Sequence, residues 1–132
     1  MPSLAHRVKG PDRLALVTDC NRALDMPDGE YLFGPVEGGE PILRRDGIGV
    51  MPAGRALASG VMGMDHGVQT FRRLTGAPLA EVVRMASLTP ARIAGWDHEV
   101  GSIAAGKRAD LLVLSAELEV RQVFVAGELL TE

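Results

Sequence analysis

Residues Val100–Ser115 read VGSIAAGKRADLLVLS. Lys107 and Arg108 fall in a GKRAD turn, and Asp110 is placed to order its backbone by accepting main-chain hydrogen bonds. The apolar residues Leu111 to Leu114 follow at once, which predicts a strand over 110–114. Val120 to Val125 predicts a second strand, rich in β-branched side chains. Ala126-Gly127 turns it back into Leu129-Leu130. The pattern is antiparallel, and so few strands do not make an independent sheet.

Working outward toward the N-terminus, the character becomes helical. Val61, Met64, Val68, Phe71 and Leu74 recur at spacings of 3, 4, 3 and 3, one face of a helix over 61–75 that Gly76 ends. Pro78 opens a second helix with Leu79, Val82, Val83 and Ala86 inward. Thr89-Pro90 reads as an N-cap and first residue of a short third helix that stops at Gly95. Trp96 is expected to pack where helix gives way to strand. Residues 25–55 are turn-rich. Asp28-Gly29 and Asp46-Gly47 are turn signals, with β-like pieces at Glu30–Phe33, Pro41–Arg45 and Ile48–Met51. Asp46-Gly47 is suited to closing a hairpin between the last two. Further back, RLALVTDCN (Arg13–Asn21) carries an apolar run, Leu14 to Val17, of the kind found in a parallel strand buried on both faces. It delivers an acid, Asp19, to its own tip. Residues 1–12 read as polar and irregular.

The chain has 132 residues, 46% apolar, enough for a real core, and only 4% aromatic, so that core must be aliphatic and Met-rich. Met62, Met64 and Met85 are expected as fillers. A formal net charge of -3 with no basic block argues against nucleic acid as a main partner. No apolar segment is long enough to span a bilayer. The opening MPSLAHRVKGPDR has no apolar stretch of the secretory type. The single cysteine, Cys20, excludes an internal disulfide and fits a reducing cytoplasm. It reads as a buried structural residue, and no histidine neighbours it in sequence to make it a nucleophile.

Three segments together resemble one family: LVTDC (Leu16–Cys20), MASLTPARIAG (Met85–Gly95), and VGSIAAGKRADLLVLS (Val100–Ser115) with VFVAGELL (Val123–Leu130) behind it. The combination is similar to the C-terminal part of the amidohydrolase superfamily. Within it, the likeness is to N-acetylglucosamine-6-phosphate deacetylases, through Asp28-Gly29-Glu30-Tyr31 and Ala56-Leu57-Ala58-Ser59. The Cys20-Asn21 pair departs from that family, where small residues are commoner. The resemblance implies an α/β architecture derived from a (β/α)₈ barrel with a small β-sandwich. A whole barrel needs about 250 residues. The chain is therefore expected to hold only the last barrel strand, its active-site loop and its helices (residues 1–95), followed by returning sandwich strands (96–132).

The same resemblance implies that Asp19 contacts a metal-bound water, acts as general base and then protonates the leaving amine. From the local sequence alone, Asp19 reads first as the cap of the next turn, and only the resemblance turns that reading toward catalysis. Leu57, Ala58 and Ser59 match the turn beside the substrate's acyl group; otherwise they are a plain strand-to-helix connection. Residues 28–34 are either part of a lid or a surface hairpin. The family uses Zn²⁺ or a similar divalent ion, and a catalytic zinc site takes three protein ligands. His6, His66 and His98 are widely separated and no H-x-H or H-E-x-x-H pair exists, so no metal ligand is assigned within this chain. The expectation is part of a deacetylase acting on an amino-sugar phosphate, inactive by itself. One alternative is a non-catalytic piece that self-associates into a homo-oligomer through unpaired strand edges. Another keeps the superfamily but takes a cyclic amide or imide.

Overall fold

A computed structural model describes residues 1–52 and 56–130. Residues 53–55, the end of the expected turn-rich segment, and 131–132 lie outside the described set. The order of elements is α1 (Pro2–Lys9), β1 (Gly29–Phe33), β2 (Glu40–Arg45), β3 (Ile48–Val50), α2 (Met64–Thr75), α3 (Leu79–Ala86), α4 (Leu88–Ala94), β4 (Leu111–Leu114), β5 (Val120–Val125) and β6 (Glu128–Leu129). No helix among the described residues is long and apolar enough to cross a membrane. The chain divides into two compact units, Val17–Gly67 and Met1–Leu16 with Val68–Glu132.

In the unit Val17–Gly67, β1, β2 and β3 form an antiparallel meander. Asp46 and Gly47 close the β2–β3 hairpin with φ of 52° and 73°. Positive φ at both central residues gives the turn whose twist matches the flanking strands. Asp28 braces that turn: one carboxylate oxygen accepts from Arg44 at 2.8 Å and the other from the Asp46 N–H at 2.9 Å. The core beneath is Ala23, Ile42, Ala58 and Val61, with Tyr31, Met51 and Met62 packed against it. Val61 lies in that core ahead of α2 and does not extend the helix stripe that its spacing suggests.

The apolar run Leu14–Val17 forms no ladder. A strand buried on both faces needs neighbours on both sides, and every named strand pair is antiparallel. The run's one ladder-like contact is an isolated parallel bridge just beyond it, between Cys20 and Gly60. Its other end is tied by Leu16 N–H to the carbonyl of Met85 at 2.9 Å.

In the other unit, residues 2–9 form α1 where irregular chain was expected. Pro2 is pre-set for a first helical turn, and His6, Arg7 and Lys9 complement the C-terminal end of the dipole. The signal was faint in sequence because the helix buries no residue. His6 Nε2 lies 2.8 Å from Glu81 Oε2, and its ring meets Phe71 edge-on at 5.9 Å. Val82 and Met85 of α3 are fully buried. Leu74 and Val83, expected inward, are exposed. Thr89 is not the N-cap of α4, which begins one residue earlier with Ser87 as its cap. Thr89 is instead buried, its hydroxyl donating to the Pro11 carbonyl at 2.6 Å. Trp96 is 64% exposed and does not fill a packed junction.

β4, β5 and β6 form the second antiparallel sheet. The GKRAD turn is pinned as its residues suggest. Lys107 Nζ reaches the carbonyls of Asp97 and Val100 and the hydroxyl of Ser102. Asp110 accepts from Arg108 and, through its other oxygen, from the Ala126 N–H at 2.9 Å. These bonds, the Arg108 bond foremost, hold the Asp110 carboxyl below the usual carboxylate range.

Candidate active site

Asp19 is exposed and adopts φ of 51°, a left-handed conformation uncommon for a residue with a Cβ. Such strain persists only where the surroundings over-determine it. Here the surroundings are the turn at residues 57–62. Gly60 N–H donates to the Asp19 carbonyl at 2.6 Å, and Asn21 N–H donates back to the Gly60 carbonyl at 2.9 Å. The approach is so close that a Cβ on Gly60 would lie 2.2 Å from the Thr18 carbonyl oxygen. Cys20 Sγ donates to the Met62 carbonyl at 2.8 Å, so this half-buried thiol is structural but is not sealed in the core. Asn21 Nδ2 donates to Ser59 Oγ at 3.1 Å, while its Oδ1 accepts from the Ala23 N–H at 2.8 Å.

The far side of the same turn is anchored to β3. Ala58 N–H donates to the Gly49 carbonyl at 2.8 Å, and Leu57 bridges Val50. The three residues of the turn therefore have different fates. Ala58 is 4% exposed and points into the core. Leu57 is 77% exposed. Leu57 and Ser59 line a groove of about 260 Å³ together with Thr18, Ile48, Gly60 and His66. Asp19 itself is not among the lining residues, although Thr18 before it and Gly60 bonded to it are. The groove therefore offers an apolar wall with a few polar groups, the usual make-up of a small-ligand subsite.

Asp28 to Tyr31 run into β1, and Tyr31 donates its hydroxyl to the Pro27 carbonyl at 2.7 Å. Those polar groups are engaged within the hairpin itself. His98 is exposed and His66 stands in the groove wall at the start of α2. Among the described residues, no three His, Cys, Asp or Glu side chains converge as a metal cage would require. The residues present do not by themselves fit the divalent ion of the resembled family. Asn21 and Gly60 carry much of the geometry; from sequence Asn21 stood out only as a departure from the resembled family, and Gly60 was not singled out. The only local signal was an Asn shortly after the acid and a Gly after the Leu57–Ser59 turn.

A profile of the amidohydrolase family matches residues 12–130. A putative N-acetylgalactosamine-6-phosphate deacetylase of Escherichia coli K12 is 38% identical over 118 residues, which are 89% of this chain and 68% of that one. The N-acetylglucosamine-6-phosphate deacetylase of Vibrio furnissii is 33% identical over 126 residues, 96% of this chain but only 30% of that enzyme. The crystal structure of N-acetylglucosamine-6-phosphate deacetylase from Pasteurella multocida superposes with a TM-score of 0.89 at 32% identity, covering 98% of this chain and 33% of that one. The chain thus spans about a third of that solved structure. A match from residue 12 to residue 130 leaves one assignment: the chain belongs to the amidohydrolase family.

Proposed function

We propose that this chain is the C-terminal portion of a metal-dependent amidohydrolase that removes acetate from an N-acetyl amino-sugar 6-phosphate, and that it is inactive alone. Residues 1–95 would be the end of a (β/α)₈ barrel and 96–132 part of a small sandwich. Asp19 would be the catalytic acid–base, taking a proton from the attacking water and returning it to the leaving amine. Leu57 and Ser59 would hold the substrate through side chains, and Ala58 would set the turn. The observation that carries the reading is the strained tip of Asp19, clamped through Gly60 to the turn that lines the groove. The ion, held by ligands from outside the described residues, would polarise the amide carbonyl. The single thiol suits the cytoplasm.

Two measurements test this. Elemental analysis and acetate release are followed for the purified chain, which should hold no stoichiometric metal and turn over no sugar phosphate. The chain is then grafted in place of the matching region of the Pasteurella multocida enzyme. That chimaera should release acetate, and Asp19→Asn should slow it by roughly 10²–10⁴-fold. A folded chimaera whose rate ignores Asp19 would refute the assignment.

The second reading, self-association, is favoured by Leu112 and Val113, which project from opposite faces of the edge strand β4 and are both exposed. Sedimentation of a monomer at high concentration would count against it.

A further inference from the structure

Asn21 departs from the small residue that the resembled family favours, and its side chain uses both ends of its amide. The Ala23 N–H can only donate, so the atom it meets at 2.8 Å is the amide oxygen, and Nδ2 is the end facing Ser59. A serine hydroxyl has two acceptor sites and one proton. With Nδ2 donating to it at 3.1 Å, Ser59 Oγ acts toward Asn21 as acceptor, and its own proton is left for another partner. Ser59 lines the groove. A hydroxyl that accepts one hydrogen bond also donates a stronger one.

We propose that Asn21 is a positioning residue: it fixes Ser59 as a hydrogen-bond donor aimed into the groove, toward an oxygen acceptor of the bound ligand. The ligand class rests on the function proposed above, an N-acetyl amino-sugar phosphate. Asn21 thus couples the segment carrying Asp19 to the hydroxyl that grips the ligand. Its backbone meets Gly60 and its side chain meets Ser59.

The test uses the full 132-residue chain, labelled with ¹⁵N, and three variants: Asn21→Asp, Ser59→Ala and the double. Asn21→Asp keeps an acceptor for the Ala23 N–H, so the local turn is retained. A carboxylate cannot donate to Ser59, however, and draws the hydroxyl proton toward itself and away from the groove. The probes are N-acetylglucosamine 6-phosphate, N-acetylglucosamine and inorganic phosphate, titrated separately. Each single variant should weaken binding of the sugar phosphate by about three- to tenfold, and the double by no more than either. Which of the two simpler probes shares that loss identifies the acceptor as a sugar or acetamido oxygen or a phosphate oxygen. Losses that add, or wild-type binding by Asn21→Asp, would overturn the proposal. Absence of binding to the wild-type chain alone is compatible with the function proposed above, in which the metal ligands come from elsewhere; that function is tested by the chimaera. The positioning role is then decided by exchange of the Asn21 side-chain amide protons. Faster exchange in Ser59→Ala, with Ala23 N–H unchanged, supports the role; unchanged exchange overturns it.

Discussion

Replacing Gly60 by alanine tests the geometry on which the site depends. The added Cβ would stand 2.2 Å from the Thr18 carbonyl oxygen and 3.3 Å from both the Thr18 carbonyl carbon and the Asp19 carbonyl oxygen. Ordinary contact begins at 3.4 Å, so the two segments must separate by 3.4 − 2.2 = 1.2 Å. All three obstructing atoms are backbone, with no flexible side-chain end to yield. Opening by that amount stretches both the 2.6 Å Gly60–Asp19 and the 2.9 Å Asn21–Gly60 hydrogen bonds beyond bonding range. Two lost backbone bonds at ~0.5–1.5 kcal/mol each, with ~1 kcal/mol or more of residual overpacking, give about 2–4 kcal/mol of destabilisation. Urea denaturation of Gly60→Ala measures this, and amide exchange at Asn21 reports whether the junction has opened. Gly67→Ala is the control. There the nearest atom to a new Cβ is Met64 Sδ at 3.9 Å, within α2, so the helix should gain about 0.5–1 kcal/mol. If Gly60→Ala costs less than about 0.5 kcal/mol and leaves Asn21 protected, the clamp on Asp19 does not exist as described.

Asp19→Gly should separate stability from function. Glycine accepts φ of 51° freely, so the chain should become more stable by up to about 1 kcal/mol in urea, while the chimaera loses acetate release. Loss of stability would mean that the carboxylate, not the backbone, holds the tip. Asp110 makes a pH prediction. Its folded-state carboxyl is held below the usual range, so its contribution is complete above the unfolded-state value near 3.8 and is lost as pH falls through the lower folded one. Asp110→Asn should therefore flatten the acid side of the stability curve below about pH 4, read by thermal melts; an unchanged acid limb would refute it.

Much of the local structure was legible along the chain. Asp46-Gly47 announced the hairpin because positive φ is cheap at that pair. Val68 and Phe71 marked the buried face of α2, and Asp110 announced the bracing of the turn before β4. Leu14–Val17 has the composition of a buried strand, and among the described residues nothing pairs along it as a ladder. The misreadings share a cause. Val61 continues the helical spacing by coincidence, since it belongs to a core built from Ala23, Ile42 and Ala58. Thr89 has the residue type of a cap, yet its hydroxyl is claimed by Pro11 from far away in sequence.

The acid at position 19 and the turn at 57–59 were each named through the resemblance of short segments to a family. Their union was not. It rests on Gly60 lying against Thr18 and on Asn21 reaching Ser59, contacts across about forty residues. Turn angles and periodicity are fixed by side chains a few positions apart. Which two backbones can approach without a Cβ between them is decided only when the chain has folded.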